Sequence, residues 1–104
     1  MKKNMRPHEL KKLITESIVP KKEKALIFFY SKTCTHCKDA KEFLNEFVKG
    51  KNLHYFEIEQ IEEWDNGSDL SDLFEVSFYP TVVRINESGY KKYVGTKEIK
   101  QIIL

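Results

Sequence analysis

No stretch of this chain approaches the roughly 18 consecutive apolar residues that span a bilayer. The opening MKKNMRPHEL has the lysines of a signal peptide but no apolar h-region behind them, so the sequence predicts a cytoplasmic protein with no membrane association. Charge of one sign is scarce: 18 Lys and Arg against 16 Asp and Glu leave a formal +2. That balance argues against nucleic acid or an acidic membrane as partner. Lys2, Lys3, Lys11, Lys12, Lys21, Lys22 and Lys24 make the first quarter basic, and this reads as a solvated face. With only two cysteines in the chain there is no disulfide framework, and repeats and low-complexity segments are lacking. What remains is ordinary: 104 residues, 40% hydrophobic and 33% charged, enough for one domain over 1–104 with its own apolar core.

Along the chain, Leu10, Leu13, Ile14 and Ile18 recur at helical spacing behind Pro7, and Pro20 closes that helix. ALIFFY, Ala25 to Tyr30, is a continuous apolar run of strand length and reads as the centre of a sheet. Cys37, Ala40, Leu44, Phe47 and Val48 then share one side of a helix ending near Gly50. Leu53 to Ile58 reads as the next strand, which makes a parallel crossover. Asn66-Gly67-Ser68 marks a turn before a short helix carrying Leu70, Leu73 and Phe74. Thr81 to Ile85 and Tyr90 to Val94 form two antiparallel strands about a turn at Gly89. Lys97 to Leu104 is expected as a last helix with Ile99, Ile102 and Ile103 inward. The class is α/β: a mixed sheet of about four strands flanked by helices. Phe28, Phe29, Phe43, Phe47, Phe56 and Phe74 are expected in its core.

Both cysteines fall in SKTCTHCKDA, where the central strand hands over to a helix. Unpaired backbone N–H groups at a helix start point toward anions, and a thiolate is an anion. Cys37, one turn on, lies on the inward stripe with Ala40 and Leu44. An outer sulfur over a shielded partner is what disulfide exchange requires: Cys34 attacks, and Cys37 resolves the mixed disulfide.

With CTHC behind ALIFFYSKT, the proline in VSFYPT, and Gly89 and Gly95 in the last hairpin, the chain resembles the thioredoxin family from about Lys24 onward. The first helix is an extra N-terminal one in this reading. The resemblance implies a thioredoxin-like fold and a redox-active Cys34–Cys37 pair with no other cofactor. It also implies a cis Tyr79–Pro80 peptide, with Tyr79 lending its backbone to the substrate as an added strand. Thr33, Thr35, Tyr79, Pro80 and Gly95 become the substrate-binding surface. A histidine before the second cysteine, here His36, resembles disulfide isomerases and periplasmic oxidants, whereas reductive thioredoxins carry proline. An imidazolium or its N–H stabilises the Cys34 thiolate and favours the reduced protein, so a potential more oxidising than thioredoxin's is expected. The implied partners are protein thiols and disulfides, with a reductase or a small thiol for recycling, and a monomer is expected.

Three departures qualify the likeness. Thr33 stands where relatives usually place tryptophan, which alters the surface a thioredoxin reductase would meet. Tyr30 replaces another common aromatic. Phe28 stands where relatives bury a carboxylate under the resolving cysteine, leaving water, His36 or Glu57 to take its proton. Three rival readings follow. A metal site lacks ligands, because His8, His36 and His54 make no second pair beside the cysteines. A docking module would keep the fold with an idle dithiol, as in small accessory proteins of bacterial export systems. A glutaredoxin reading finds no charge set for glutathione.

Overall fold

The computed structural model describes residues 2–4, 7–31, 33–59, 74–76 and 78–103. The expected turn at Asn66-Gly67-Ser68 and the helix around Leu70 and Leu73 lie outside these residues; Phe74 is described and buried.

Strand β1 (Lys2–Asn4) precedes helix α1 (Pro7–Leu13), which passes into a π-helical turn, Ile14–Ile18. Leu10, Ile14 and Ile18, four residues apart, are all buried. On a 3.6-residue turn such a spacing drifts around the helix; the wider turn brings the third residue back to the core side. The widening has a local cause. The Thr15 hydroxyl donates to the Lys11 and Lys12 carbonyls at 3.0 and 3.3 Å, competing with the ladder, and Val19 N–H reaches back five residues to Ile14 at 2.9 Å.

Strand β2 (Ala25–Tyr30) lies at the centre of a five-stranded sheet. It runs parallel to β3 (His54–Glu59) and antiparallel to β4 (Thr81–Asn86), which pairs with β5 (Gly89–Val94). Ala25 through Phe29 are buried without a break because both faces of β2 are covered. One face meets Leu10, Ile14 and Ile18; the other, carrying Leu26 and Phe28, meets α2 (Thr35–Phe47) through Cys37, Ala40 and Leu44. Phe28, Phe29, Phe56 and Phe74 are core residues as expected, with Phe43 and Phe47 half-buried against the α2-side core.

The four expected strands are present, and β1 adds a fifth on the β3 edge. The C-terminus needs correction. Helix α3 (Thr96–Ile99) is a single turn, and beyond it Gln101 and Ile102 bond back three residues, to Glu98 and Ile99. Winding at three residues per turn sets Ile102 over Ile99 in the core and turns Ile103 outward, 73% exposed.

Candidate active site

Strand β2 ends at Tyr30, and the chain turns so that Cys34 is the cap residue of α2, with extended backbone (φ −88°, ψ 110°). The turn is fixed from Ser31. Its carbonyl accepts the Cys34 N–H at 3.1 Å, and its hydroxyl lies 3.0 Å from that of Thr33 and accepts the Thr33 N–H at 3.3 Å. The first helical turn closes with Cys37 N–H on the Cys34 carbonyl at 3.2 Å. Thr33, Thr35 and His36 are exposed, and Cys34 is half-buried. Cys37 is 4% exposed, packed with Leu26, Phe28 and Ala40.

Both sulfurs are free thiols. The Cys37 thiol is pushed up from an ordinary 9.0 to about 12. Burial is the largest cause, followed by the hydrogen bond to Cys34; a backbone hydrogen bond from Ser31 pulls the other way, and the charge of Cys34 adds to the rise. Cys37 is thereby held as a protonated donor to the outer sulfur.

The other predicted residues converge on this end of the sheet. Tyr79 is half-buried against the core that holds Cys37 and Cys34, and the Tyr79–Pro80 peptide is cis. The buried Pro80 presents its carbonyl to Gly95 N–H at 2.9 Å. Gly95 has φ 85°, a left-handed conformation that suits glycine, and caps α3. From α3 the Thr96 hydroxyl donates to the His36 carbonyl at 3.2 Å, and Lys100 pairs with Asp39 at 3.1 Å. One short helix therefore ties the Pro80 strand to the cysteine helix.

Sequence reasoning named Glu57 but not its surroundings. Phe28, where relatives keep a carboxylate, faces Glu57 across β2–β3, and among the described residues Glu57 is the one charged side chain that is buried. The Tyr55 hydroxyl donates to it at 3.0 Å, and Lys41 Nζ stands 3.8 Å away. Lys41 also lies over the Tyr30 ring at 5.4 Å, and that ring stacks on Phe28. Burial, then the Glu57 charge, raise the Tyr55 hydroxyl; burial, then Glu59, then Glu57, raise that of Tyr30. Behind burial, Cys34 and Ser31 act on Cys37. Two spacings contained this cluster: Tyr55 and Glu57 share a strand face, and Lys41 follows Cys37 by one helical turn.

Among the described residues no three His, Cys, Asp or Glu side chains gather as metal ligands, and no helix is long and apolar enough to cross a membrane. The thioredoxin family model matches residues 6–104, taking in the N-terminal helix as well as the cysteine motif. The chain belongs to the thioredoxin family. Solved structures with the same fold include thioredoxin NaTrxh from Nicotiana alata, with TM-score 0.76, 19% identity, and coverage of 96% of this chain and 85% of that one. Fasciola hepatica thioredoxin superposes with TM-score 0.72 at 19% identity, covering 95% and 91%. Oxidised mitochondrial thioredoxin 3 from Saccharomyces cerevisiae gives 0.68 at 21%, covering 95% and 93%. No curated protein matches the chain in sequence.

Proposed function

We propose that this protein is a thiol–disulfide oxidoreductase acting on protein disulfides, with Cys34 as nucleophile and Cys37 as resolving cysteine. The observation that carries the reading is the asymmetry of the pair: a half-buried sulfur at the head of α2 above a buried thiol held protonated. The Cys34 sulfur attacks one sulfur of a substrate disulfide; the S–S bond breaks, and the far sulfur leaves with the bonding pair and takes a proton from water. Forming the mixed disulfide removes the charge on Cys34 and weakens it as a hydrogen-bond acceptor. Two of the causes that raise Cys37 thus fade when its thiolate is needed. Cys37 yields its proton to water, attacks Cys34, and releases the second substrate thiol. The substrate gains two electrons and two protons, and the Cys34–Cys37 disulfide forms.

Burial, the largest cause, persists through this cycle, and the buried Phe28 packed with Cys37 cannot take its proton, so resolution is slow in this reading. Tyr79 receives the substrate backbone, with Thr33, Thr35, Pro80 and Gly95 around it. His36, exposed beside the pair, stabilises reduced Cys34 and makes the protein more oxidising than thioredoxin. Members of the wider family span on the order of 150 mV, roughly 7 kcal/mol, which leaves room for one residue to matter. The reading includes a cytoplasmic monomer recycled by a reductase or a small thiol. Insulin reduction with dithiothreitol is the test. Acceleration that is lost in Cys34→Ser supports it; no acceleration beyond the reductant leaves the docking module.

A further inference from the structure

The lysines of the first quarter do not all stay together as one solvated face. Lys22 and Lys24 line an open cavity of about 520 Å³ together with Lys51, which follows α2. The cavity lies where β2 begins, and Cys34 lies beyond the other end of that strand, so roughly 17 Å of strand separates it from the redox site. The one carboxylate in its lining, Glu23, is engaged by His54, whose Nε2 stands 3.0 Å from Glu23 Oε1. Lys51 Nζ is held on the Phe47 carbonyl and 4.3 Å from the centre of the Phe47 ring, neither of which cancels its charge. Among the described residues Lys22 and Lys24 have no carboxylate partner. A chain that is nearly neutral as a whole therefore gathers uncompensated positive charge around one concave surface.

The backbone at Lys22 is a second, independent observation. The chain leaves the helix with Glu23 N–H on the Ile18 carbonyl and Lys22 N–H on that of Val19, both at 3.0 Å. This double closure holds Lys22 in the left-handed region at φ 56°, the position glycine usually takes after a helix. A lysine there costs stability that glycine would keep, and its side chain supplies a charge to the cavity. A cation also favours the carbonyl end of a helix, and the experiment below separates the two roles.

We propose that this cavity binds a small molecule of nucleotide size carrying two or more phosphate groups. The site is independent of the cysteines and goes beyond the redox reading. Ammonium groups act as point charges and suit a compact, multiply charged oxyanion, whereas planar carboxylates are best met by the arginine fork. Among the described residues no arginine lines the cavity. Its volume lies within the range of small-molecule sites and exceeds what one phosphate fills. Asn52 offers an amide donor, and the half-buried Leu53 offers an apolar surface to the organic part of the ligand.

The test is an NMR titration of backbone amides in the full chain with ADP, inorganic pyrophosphate and inorganic phosphate at low ionic strength. ADP and pyrophosphate should shift the amides of Lys22 to Lys24 and Lys51 to His54 along one saturating curve. ADP should bind the more tightly because it also meets Leu53, phosphate more weakly than both, and added salt should weaken all three. Lys22→Gly should weaken ADP about fivefold, the scale of one exposed ion pair, with the urea midpoint kept or raised. Lys24→Gln should weaken it similarly, and Lys97→Gln, on the exposed side of α3, should leave it unchanged. Shifts spread over lysines elsewhere without saturation, phosphate bound as tightly as ADP, or wild-type affinity in both cavity variants would each overturn the proposal. A Lys22→Gly chain that is less stable yet binds ADP as wild type does would also overturn it, because the lysine would then serve only the helix end.

Discussion

Cys37 is held protonated by its buried position and by Cys34 together, and the two contributions separate by substituting Cys34 alone. At pH 8 a thiol at about 12 is ionised in about one molecule in ten thousand. Cys34→Ala removes both the hydrogen-bond acceptor and the charge, leaving burial and the opposing Ser31 bond. Cys34→Asp keeps an anionic acceptor at the same helix cap, a position where aspartate is well tolerated. A hydrogen bond to a charged group is worth about 1.5–3 kcal/mol, so the Cys37 thiolate fraction should be about ten- to a hundredfold larger in the alanine variant. The assay is carbamidomethylation of Cys37, the only cysteine left in either variant, followed by mass spectrometry between pH 7 and 10. Alanine should react faster than aspartate throughout, with serine between them. Equal rates in the alanine and aspartate variants would refute the coupling and leave burial as the whole cause.

Other consequences are as specific. The folded chain keeps the Cys37 proton up to about 12 whereas the unfolded chain releases it near 9.0, so this contribution to stability is complete below pH 9 and is lost between about 9 and 12. Urea midpoints at pH 7, 9 and 10.5 should fall in that order, and less steeply in Cys37→Ala. Tyr55→Phe withdraws the 3.0 Å donor from the buried Glu57 carboxylate and should cost about 1–3 kcal/mol in a urea melt, with the redox potential unmoved. Phe28→Ala empties a fully buried site at the centre of the sheet and should cost about 3–5 kcal/mol by the same measurement. Slow resolution predicts that mixed disulfides on Cys34, trapped by acid quench early in the reaction, accumulate to comparable yields in wild type and Cys37→Ala. A yield far lower in wild type would show fast resolution.

Where a pattern of apolar residues settled the environment, sequence and structure agree. ALIFFY has no polar face, so it can only be an inner strand; Cys37, Ala40 and Leu44 fix which side of α2 is buried, and with it which cysteine is shielded. The disagreements arise where backbone geometry decides instead. Lys2–Asn4 has no apolar alternation and is a strand because β3 offers it a free edge, the charged short edge strand that resists further pairing. Leu10, Ile14 and Ile18 read equally well as one α-helix, and only the Thr15 hydroxyl marks the wider turn. Ile102 and Ile103 are adjacent and identical, so no composition rule tells which faces inward; the tightened turn after α3 decides it. At the site, the motif located the two sulfurs, while the Thr96 bond to His36 and the Lys41–Glu57–Tyr55 cluster depend on which elements pack together. The family likeness also begins earlier than Lys24, since the matched region takes in the first helix.

The most direct measurement is a titration of the reduced protein against defined glutathione ratios, with the Cys34–Cys37 bond quantified by mass. The account predicts one two-electron transition to the intramolecular disulfide, at a potential above the roughly −270 mV of thioredoxin. Thiols that stay reduced across the range, or cysteines that become only glutathionylated, would contradict it.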